Sequence, residues 1–152
     1  MPDSLPLSQA PHPALAGALA EALTRALPDV HPDRATILGE GWGASAFRIP
    51  ATDGDVGGDW VLRVPREGVP WAAGDLDREV KTLPLLERRP FEVAVPHEAR
   101  LLRSAGGTIL GAIHRLVPGS RTGTYSLRGS ARREHLAGIG RFLATLHTTP
   151  AP

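Results

Sequence analysis

The chain contains no cysteine, which excludes a disulfide framework and a thiolate metal site. It also has no apolar run approaching the roughly 20 residues that a membrane-spanning helix requires. Its first residues lack the basic segment followed by an apolar segment that marks a secretory signal peptide. Together these absences predict a cytoplasmic protein with no membrane partner.

Lysine is almost absent, because Lys81 is the only lysine and the other 16 of the 17 basic residues are arginine. Acidic residues number 16, so the formal net charge is only +1, and aromatic residues make up 5% of the chain. A nucleic-acid-binding protein usually shows a clustered basic surface with aromatic residues for stacking. The stretch from Arg115 to Arg133 is locally basic, which is typical of a solvated face. We therefore expect no nucleic-acid partner.

The 152 residues, 41% hydrophobic and 22% charged, are enough for one ordinary globular domain. Apolar periodicity and turn residues predict an α+β fold with a mainly antiparallel five-stranded sheet, one crossing helix, and further helices near both ends. The predicted elements are, in order, a helix at His12–Leu27, strands at Ala35–Gly39, Ala44–Ile49 and Trp60–Val64, a helix at Asp75–Arg89, strands at Val95–Leu102 and Thr108–Val117, and a helix at Ala131–His147.

Two details of this pattern bear on function. Residues 39–45 read Gly-Glu-Gly-Trp-Gly-Ala-Ser between two predicted strands. Glycines let backbone amides approach a phosphate closely, although such a segment is more often simply a turn. The third strand, Trp60–Val64, places Arg63 among apolar residues, and an inward-facing arginine needs a charge partner. Glu79 in the following helix would supply it, unless both residues are solvated.

Five segments in this order resemble the N-terminal lobe of the aminoglycoside phosphotransferase family, which includes macrolide phosphotransferases and is related to protein kinases. They read GEGWGASAFRI, WVLRVPR, DREVKTLPLL, ILGAIHRLVPG and GRFLATLH. The resemblance spans Ala35 to about His147. It implies an N-terminal helix and connector (residues 1–33), a nucleotide-binding lobe (34–119) and a linker with the first helix leading toward a second lobe (120–152).

The resemblance also implies roles for individual residues. Gly39, Gly41 and Gly43 would cover the phosphates of ATP or GTP, and Ser45 would add a hydroxyl near them. Arg63 would hold the phosphates at a position that is lysine in many members, with Glu79 as its partner. Backbone groups of Leu116 and Val117, in the hinge between the lobes, would bond the base. The glycine pattern is G-x-G-x-G, whereas protein kinases have G-x-G-x-x-G.

The chain contains no segment of the form H-G-D-x-x-x-x-N, where the family places its catalytic aspartate and a metal-binding asparagine. The resemblance therefore implies no catalytic or metal-binding residue within these 152 residues. It predicts Mg²⁺ and a small-molecule acceptor, such as a sugar hydroxyl of an antibiotic, only together with a second lobe. The scattered histidines and the residues around Tyr125 and Ser126 form no other catalytic pattern.

A second hypothesis remains open at this point. The chain would be a stand-alone, non-catalytic module that binds a nucleotide or a protein partner. In either case a lobe without its neighbour exposes apolar surface, so we expect weak self-association.

Overall fold

The computed structural model describes residues 17–51, 58–88, 94–118 and 127–148. Within these ranges the fold is α+β, with a five-stranded antiparallel sheet and three α-helices, as the sequence predicts and as in a kinase-like N-terminal lobe. The helices are α1 (Ala18–Ala26), α2 (Ala72–Glu87) and α3 (Gly129–His147), and a 3-10 turn spans Pro32–Arg34. The strands are β1 (Thr36–Glu40), β2 (Ala44–Ile49), β3 (Trp60–Pro65), β4 (Arg100–Arg103) and β5 (Ile109–Arg115).

The strands lie in the order β1-β2-β3-β5-β4, and every neighbouring pair is antiparallel. Because β3 and β4 both run antiparallel to β5, they are parallel to each other. The chain joins them through α2, which contacts β3, β4 and β5. A helical crossover is the usual way to connect two parallel strands. Here the crossover spans an intervening strand, and α2 therefore covers one face of the sheet.

Helix α1 covers the opposite face and completes the hydrophobic core. Leu19 and Leu23, two of the leucines that the sequence places on one stripe, are buried there against the sheet. A Cβ at Gly111 of β5 would lie 2.8 Å from the Arg63 carbonyl oxygen and 3.6 Å from a methyl of Leu19. A side chain at this position is therefore excluded by the backbone of β3, whereas the Leu19 methyl lies at an ordinary contact distance. The core comprises Leu19, Ala22, Leu23, Leu27, Val30, Phe47, Ile49, Trp60, Leu62, Leu102 and Ile113.

The predicted strand at Val95–Leu102 is wrong over most of its length, since β4 is only Arg100–Arg103. Glu98 has a φ of 54°, in the left-handed region that an extended strand cannot include. Pro96 in addition has no N–H for a ladder hydrogen bond. β5 is likewise shorter than the predicted Thr108–Val117 and ends at Arg115.

The helices differ from the prediction mainly at their ends. α2 begins at Ala72 rather than Asp75 and runs past Pro84 to Glu87. Pro84 leaves only the bond to the Val80 carbonyl unmade, which the last turn of a helix tolerates. Residues 12–16 of the first predicted helix and residues 52–57, between the second and third predicted strands, lie outside the described residues. In the described part of the chain, no helix is sufficiently long and apolar to span a membrane.

Candidate functional site

The glycine-rich hairpin, residues 39–44, connects β1 to β2. Glu40 pairs with Ser45, and the Gly41 N–H donates to the Ala44 carbonyl across the turn at 2.8 Å. Neither Gly41 nor Gly43 has a positive φ. Gly43 is required for a different reason, because a Cβ there would lie 2.5 Å from a ring carbon of Trp71. The hairpin thus presents Trp42 to solvent, where it is 92% exposed. The indole of Trp71 packs on the next residue, Gly43.

Arg63 lies in a row of small residues that crosses the sheet. Ladder register aligns Gly39 with Ala46, Ala46 with Arg63, and Arg63 with Ala112. Aligned residues share a face, and the neighbours of Arg63 carry at most one methyl group. The long arginine side chain therefore rises above a shallow floor. That floor lies on the face that α2 covers only in part, since the Arg63 side chain is 35% exposed.

Arg63 forms the ion pair that the sequence predicts. Its Nη1 donates to a carboxylate oxygen of Glu79, which lies in the middle of α2. The Glu79 side chain is 26% exposed, so the pair is half-buried at the interface of strand and helix. A guanidinium has five N–H donors, and a single contact to Glu79 leaves others for a second anion. The arrangement combines a fixed cation with an opening to solvent.

Ser45 points away from this cation. In β2 it aligns with Val64, whereas its neighbour Ala46 aligns with Arg63. Successive side chains of a strand alternate between faces, so the Ser45 hydroxyl lies on the same face as Phe47 and Val64. The structure brings Gly39, Arg63 and Glu79 to one face and leaves the Ser45 side chain on the other.

The far end of β3 contacts the segment after β5. The Leu116 N–H donates to the Asp59 carbonyl at 2.9 Å, and so it already has a partner. Asp59 is 3% exposed, and its carboxylate accepts from the Arg48 guanidinium and, at 3.0 Å, from the Ala51 N–H. Leu116 and Val117 therefore lie beside the start of β3, four residues from Arg63. The hairpin lies at the opposite end of the same strand.

Three residues at this site were missed by the sequence analysis as functional candidates. Asp59 fixes the position of Leu116, while Arg66 and Trp71 contact the hairpin. Arg66 is the last residue of the segment WVLRVPR. Its position directly after β3 could have indicated that it lies near the hairpin. Nothing local in the sequence pairs Trp71 with Gly43, since the two residues are far apart along the chain.

The described residues contain no group of three or more His, Asp or Glu side chains that could hold a metal ion. His114, on the Arg63 face of β5, has its Nδ1 2.9 Å from the Arg115 carbonyl oxygen. His31 and His97 lie beside the carboxylates of Asp33 and Glu98 at the surface. Each of these contacts involves an adjacent or near-adjacent residue, as expected for surface histidines.

Comparison with known proteins gives one match. The model of the phosphotransferase enzyme family, APH, matches residues 34–152. The match begins just before β1 and includes the hairpin, Arg63, Glu79 and α3. No curated protein and no solved structure matches the chain.

Proposed function

The chain belongs to the phosphotransferase enzyme family, and on that premise we propose that residues 34–119 bind ATP or GTP along β3. The observation that supports this proposal is the Arg63–Glu79 ion pair on the partly open face of the sheet. The glycine-rich hairpin lies near this pair, at one end of β3. Kinase-type enzymes place a basic residue of this strand, paired with a helix carboxylate, on the nucleotide phosphates. Fold and family alone do not identify a site, so the proposal is supported by this ion pair.

In the proposed complex the phosphates lie between Arg63 and the hairpin. The Arg63 guanidinium binds phosphate oxygens through the donors that Glu79 leaves available, and Glu79 fixes its orientation. Gly39 and Ala46, in the same row as Arg63, leave room above the sheet, and the backbone of Gly41 and Gly43 covers the phosphates. We assign Ser45 only a backbone contribution, because its hydroxyl is on the other face.

The base would then lie near Leu116 and Val117. Since the Leu116 N–H is bonded to Asp59, we propose that the Leu116 carbonyl and the Val117 N–H bond the edge of the base. Val61, which aligns with Arg48 and His114 on the Arg63 face, would form the apolar floor beneath it. Both ATP and GTP fit this description.

The remaining parts of the reaction fall outside the described residues. Mg²⁺ neutralises phosphate charge in such reactions, but the described residues form no site for it, and we assign none of them to it. We propose that a second lobe supplies the metal ligands, the catalytic aspartate and the pocket for an acceptor hydroxyl, as on an aminoglycoside or a macrolide. This would be an antibiotic-resistance activity in the cytoplasm. The 152 residues alone should transfer no phosphate.

The proposal is tested by titrating the purified chain with ATP and with GTP, each with Mg²⁺, by calorimetry. Arg63→Ala should weaken nucleotide binding by between about tenfold and a hundredfold, because it removes the direct phosphate contact. Glu79→Ala should weaken it by roughly threefold to tenfold, since the guanidinium remains but is no longer oriented. Both side chains are partly exposed, so stability should change by no more than about 1 kcal/mol.

Arg78→Ala is the matched control for Arg63→Ala. Arg78 also pairs with a carboxylate, that of Asp75, but on the exposed surface of α2. Its removal changes the net charge equally and should leave nucleotide affinity unchanged. If Arg63→Ala and Arg78→Ala bind nucleotide as tightly as the parent chain, Arg63 does not hold the phosphates.

A stand-alone partner-binding module is the second candidate, and one observation favours it. No residue of α3 is buried, and Leu136, Ile139 and Leu143 on one stripe are between 40% and 47% exposed. An apolar stripe of this kind usually contacts another surface. We propose that it allows weak self-association of the chain.

A further inference from the structure

The segment between β3 and α2 contacts the glycine-rich hairpin through two residues. The connector, residues 66–71, starts with Arg66, whose N–H donates to the Gly43 carbonyl at 2.9 Å. The Arg66 Nη1 also donates to the Gly41 carbonyl at 3.2 Å. One residue thus holds the carbonyl groups on both sides of Trp42. Trp71, at the other end of the connector, packs its ring on Gly43.

The connector itself is a chain of turns with little freedom. The Val69 N–H donates to the Arg66 carbonyl at 3.3 Å, and the Ala72 N–H donates to the Val69 carbonyl at 3.1 Å. Gly68, with a φ of 77°, occupies the position of the first turn where positive φ favours glycine. Pro70 fixes its own φ immediately before Trp71. Backbone hydrogen bonds therefore run without a gap from Gly43 to Ala72, the first residue of α2.

Helix α2 also carries Glu79, so the hairpin and the partner of Arg63 belong to one connected unit. We propose that Arg66 and Trp71 are positioning residues that couple the glycine-rich hairpin to α2, so that the hairpin and the Arg63–Glu79 pair take up their positions together. The nucleotide-dependent part of this inference rests on the proposed function. The coupling between hairpin and helix does not.

Steric conflict at Gly43 provides a direct test. Gly43→Ala places its methyl group 2.5 Å from a ring carbon of Trp71, so the ring must move away. Trp71→Ala removes the ring without an internal defect, since Trp71 is 49% exposed. Each change abolishes the same contact, so their effects should not multiply in the double variant. Trp71→Phe retains an aromatic ring and should behave nearly as the parent chain.

The first readout is amide hydrogen exchange without nucleotide. Gly43→Ala and Trp71→Ala should each speed exchange of the Arg66 amide roughly tenfold, because its acceptor Gly43 is no longer held. The double variant should exchange no faster than the faster single variant. The Leu62 amide, in the middle of β3, monitors global stability and should be unaffected. An unchanged Arg66 amide in Trp71→Ala, or a roughly hundredfold increase in the double variant, would overturn the inference.

The second readout is the affinity for ATP with Mg²⁺. Each single variant should bind roughly tenfold more weakly, and the double variant no more weakly than that. Val61→Ala, at the proposed floor beneath the base, is the control, because Val61 lies toward the Asp59 end of β3 and aligns with Arg48 and His114, away from the hairpin. Combining it with Trp71→Ala should multiply the two effects. If the losses of ATP affinity caused by Gly43→Ala and Trp71→Ala multiply in the double variant, that result would contradict the coupling.

The two readouts separate the two proposals. If the parent chain binds neither ATP nor GTP, the proposed function fails, and the exchange rates alone decide whether the coupling exists. If the parent chain binds nucleotide but Trp71→Ala leaves the exchange rate of the Arg66 amide unchanged, the coupling fails and the proposed function stands.

Discussion

At the scale of single residues, two ion pairs fix the two ends of β3. Near the hairpin, Arg63 binds Glu79 of α2 across the interface of strand and helix. At the other end, the buried carboxylate of Asp59 binds Arg48 and the Ala51 N–H, and so joins the end of β2 to the start of β3. The first pair is partly open to solvent. In the second pair the Asp59 carboxylate is buried and both of its oxygens accept hydrogen bonds within the protein, while the Arg48 side chain is 39% exposed.

Asp59 should therefore matter for stability rather than for direct contact with a ligand. Asp59→Ala leaves the Arg48 guanidinium and the Ala51 N–H without their acceptor and should cost about 2–3 kcal/mol. Asp59→Asn retains an acceptor oxygen and should cost about 1 kcal/mol less. The free energy of unfolding from urea denaturation measures both. Asp33→Ala, at a carboxylate that is 76% exposed, is the control and should change stability little.

At the scale of elements, α1 and α3 show that similar apolar spacing leads to different burial. Both sequences carry leucine or isoleucine at intervals of three or four residues. Leu19 and Leu23 of α1 are buried above Gly111 and the strands β3 and β5. The stripe of α3 remains exposed. Periodicity thus predicts which face of a helix is apolar, whereas the sheet determines whether that face is covered.

This difference predicts that a leucine-to-alanine substitution destabilises the protein much more in α1 than in α3. Leu23→Ala should destabilise the protein by about 3 kcal/mol, since Leu23 is 1% exposed and its loss leaves a cavity. Leu143→Ala, at a residue that is 43% exposed, should cost about 0.5 kcal/mol or less. Urea denaturation of the two variants under one set of conditions makes the comparison. Equal costs would mean that α3 is packed as tightly as α1.

At the scale of the whole molecule, the sheet separates two environments. α1 and the hydrophobic core lie on one face, and α2 with the Arg63–Glu79 pair lies on the other. The hairpin and the segment around Leu116 lie at opposite ends of β3. The proposed nucleotide would contact both ends of the strand from the α2 face. The apolar stripe of α3 is a separate surface.

Self-association through α3 is the prediction that belongs to this scale. If the stripe mediates it, sedimentation of the parent chain should depend on concentration, and the double variant Leu136→Glu, Leu143→Glu should weaken association at least about tenfold. Glutamates at Ala137 and Ala144, which are exposed and lie about 100° around α3 from Leu136 and Leu143, add the same charge and should weaken association much less. Equal effects of both double variants would show that charge alone acts, and a parent chain that remains monomeric would exclude the prediction.

The sequence by itself determined the order of elements and the strand Ala44–Ile49, because local periodicity and turn residues lie within short segments. For Arg63 and Glu79 it left two alternatives open, an ion pair or two solvated side chains, and the structure shows the ion pair. Strand alternation also predicts that the side chains of Ser45 and Ala46 point to different faces of the sheet. Which of the two shares a face with Arg63 depends on the register between β2 and β3, which the sequence does not give. Element ends were less predictable, because Glu98 adopts a left-handed backbone that its own side chain does not require.

Only the tertiary structure decided which distant residues meet. β5 enters between β3 and β4, so the crossover through α2 spans a strand that comes later in the chain. Trp71 reaches Gly43, and the Leu116 N–H is taken by Asp59, because chain folding places these pairs side by side. Such contacts join residues separated by 28 and 57 positions in the printed sequence. No local pattern encodes them, since each depends on the packing of the whole sheet and its helices.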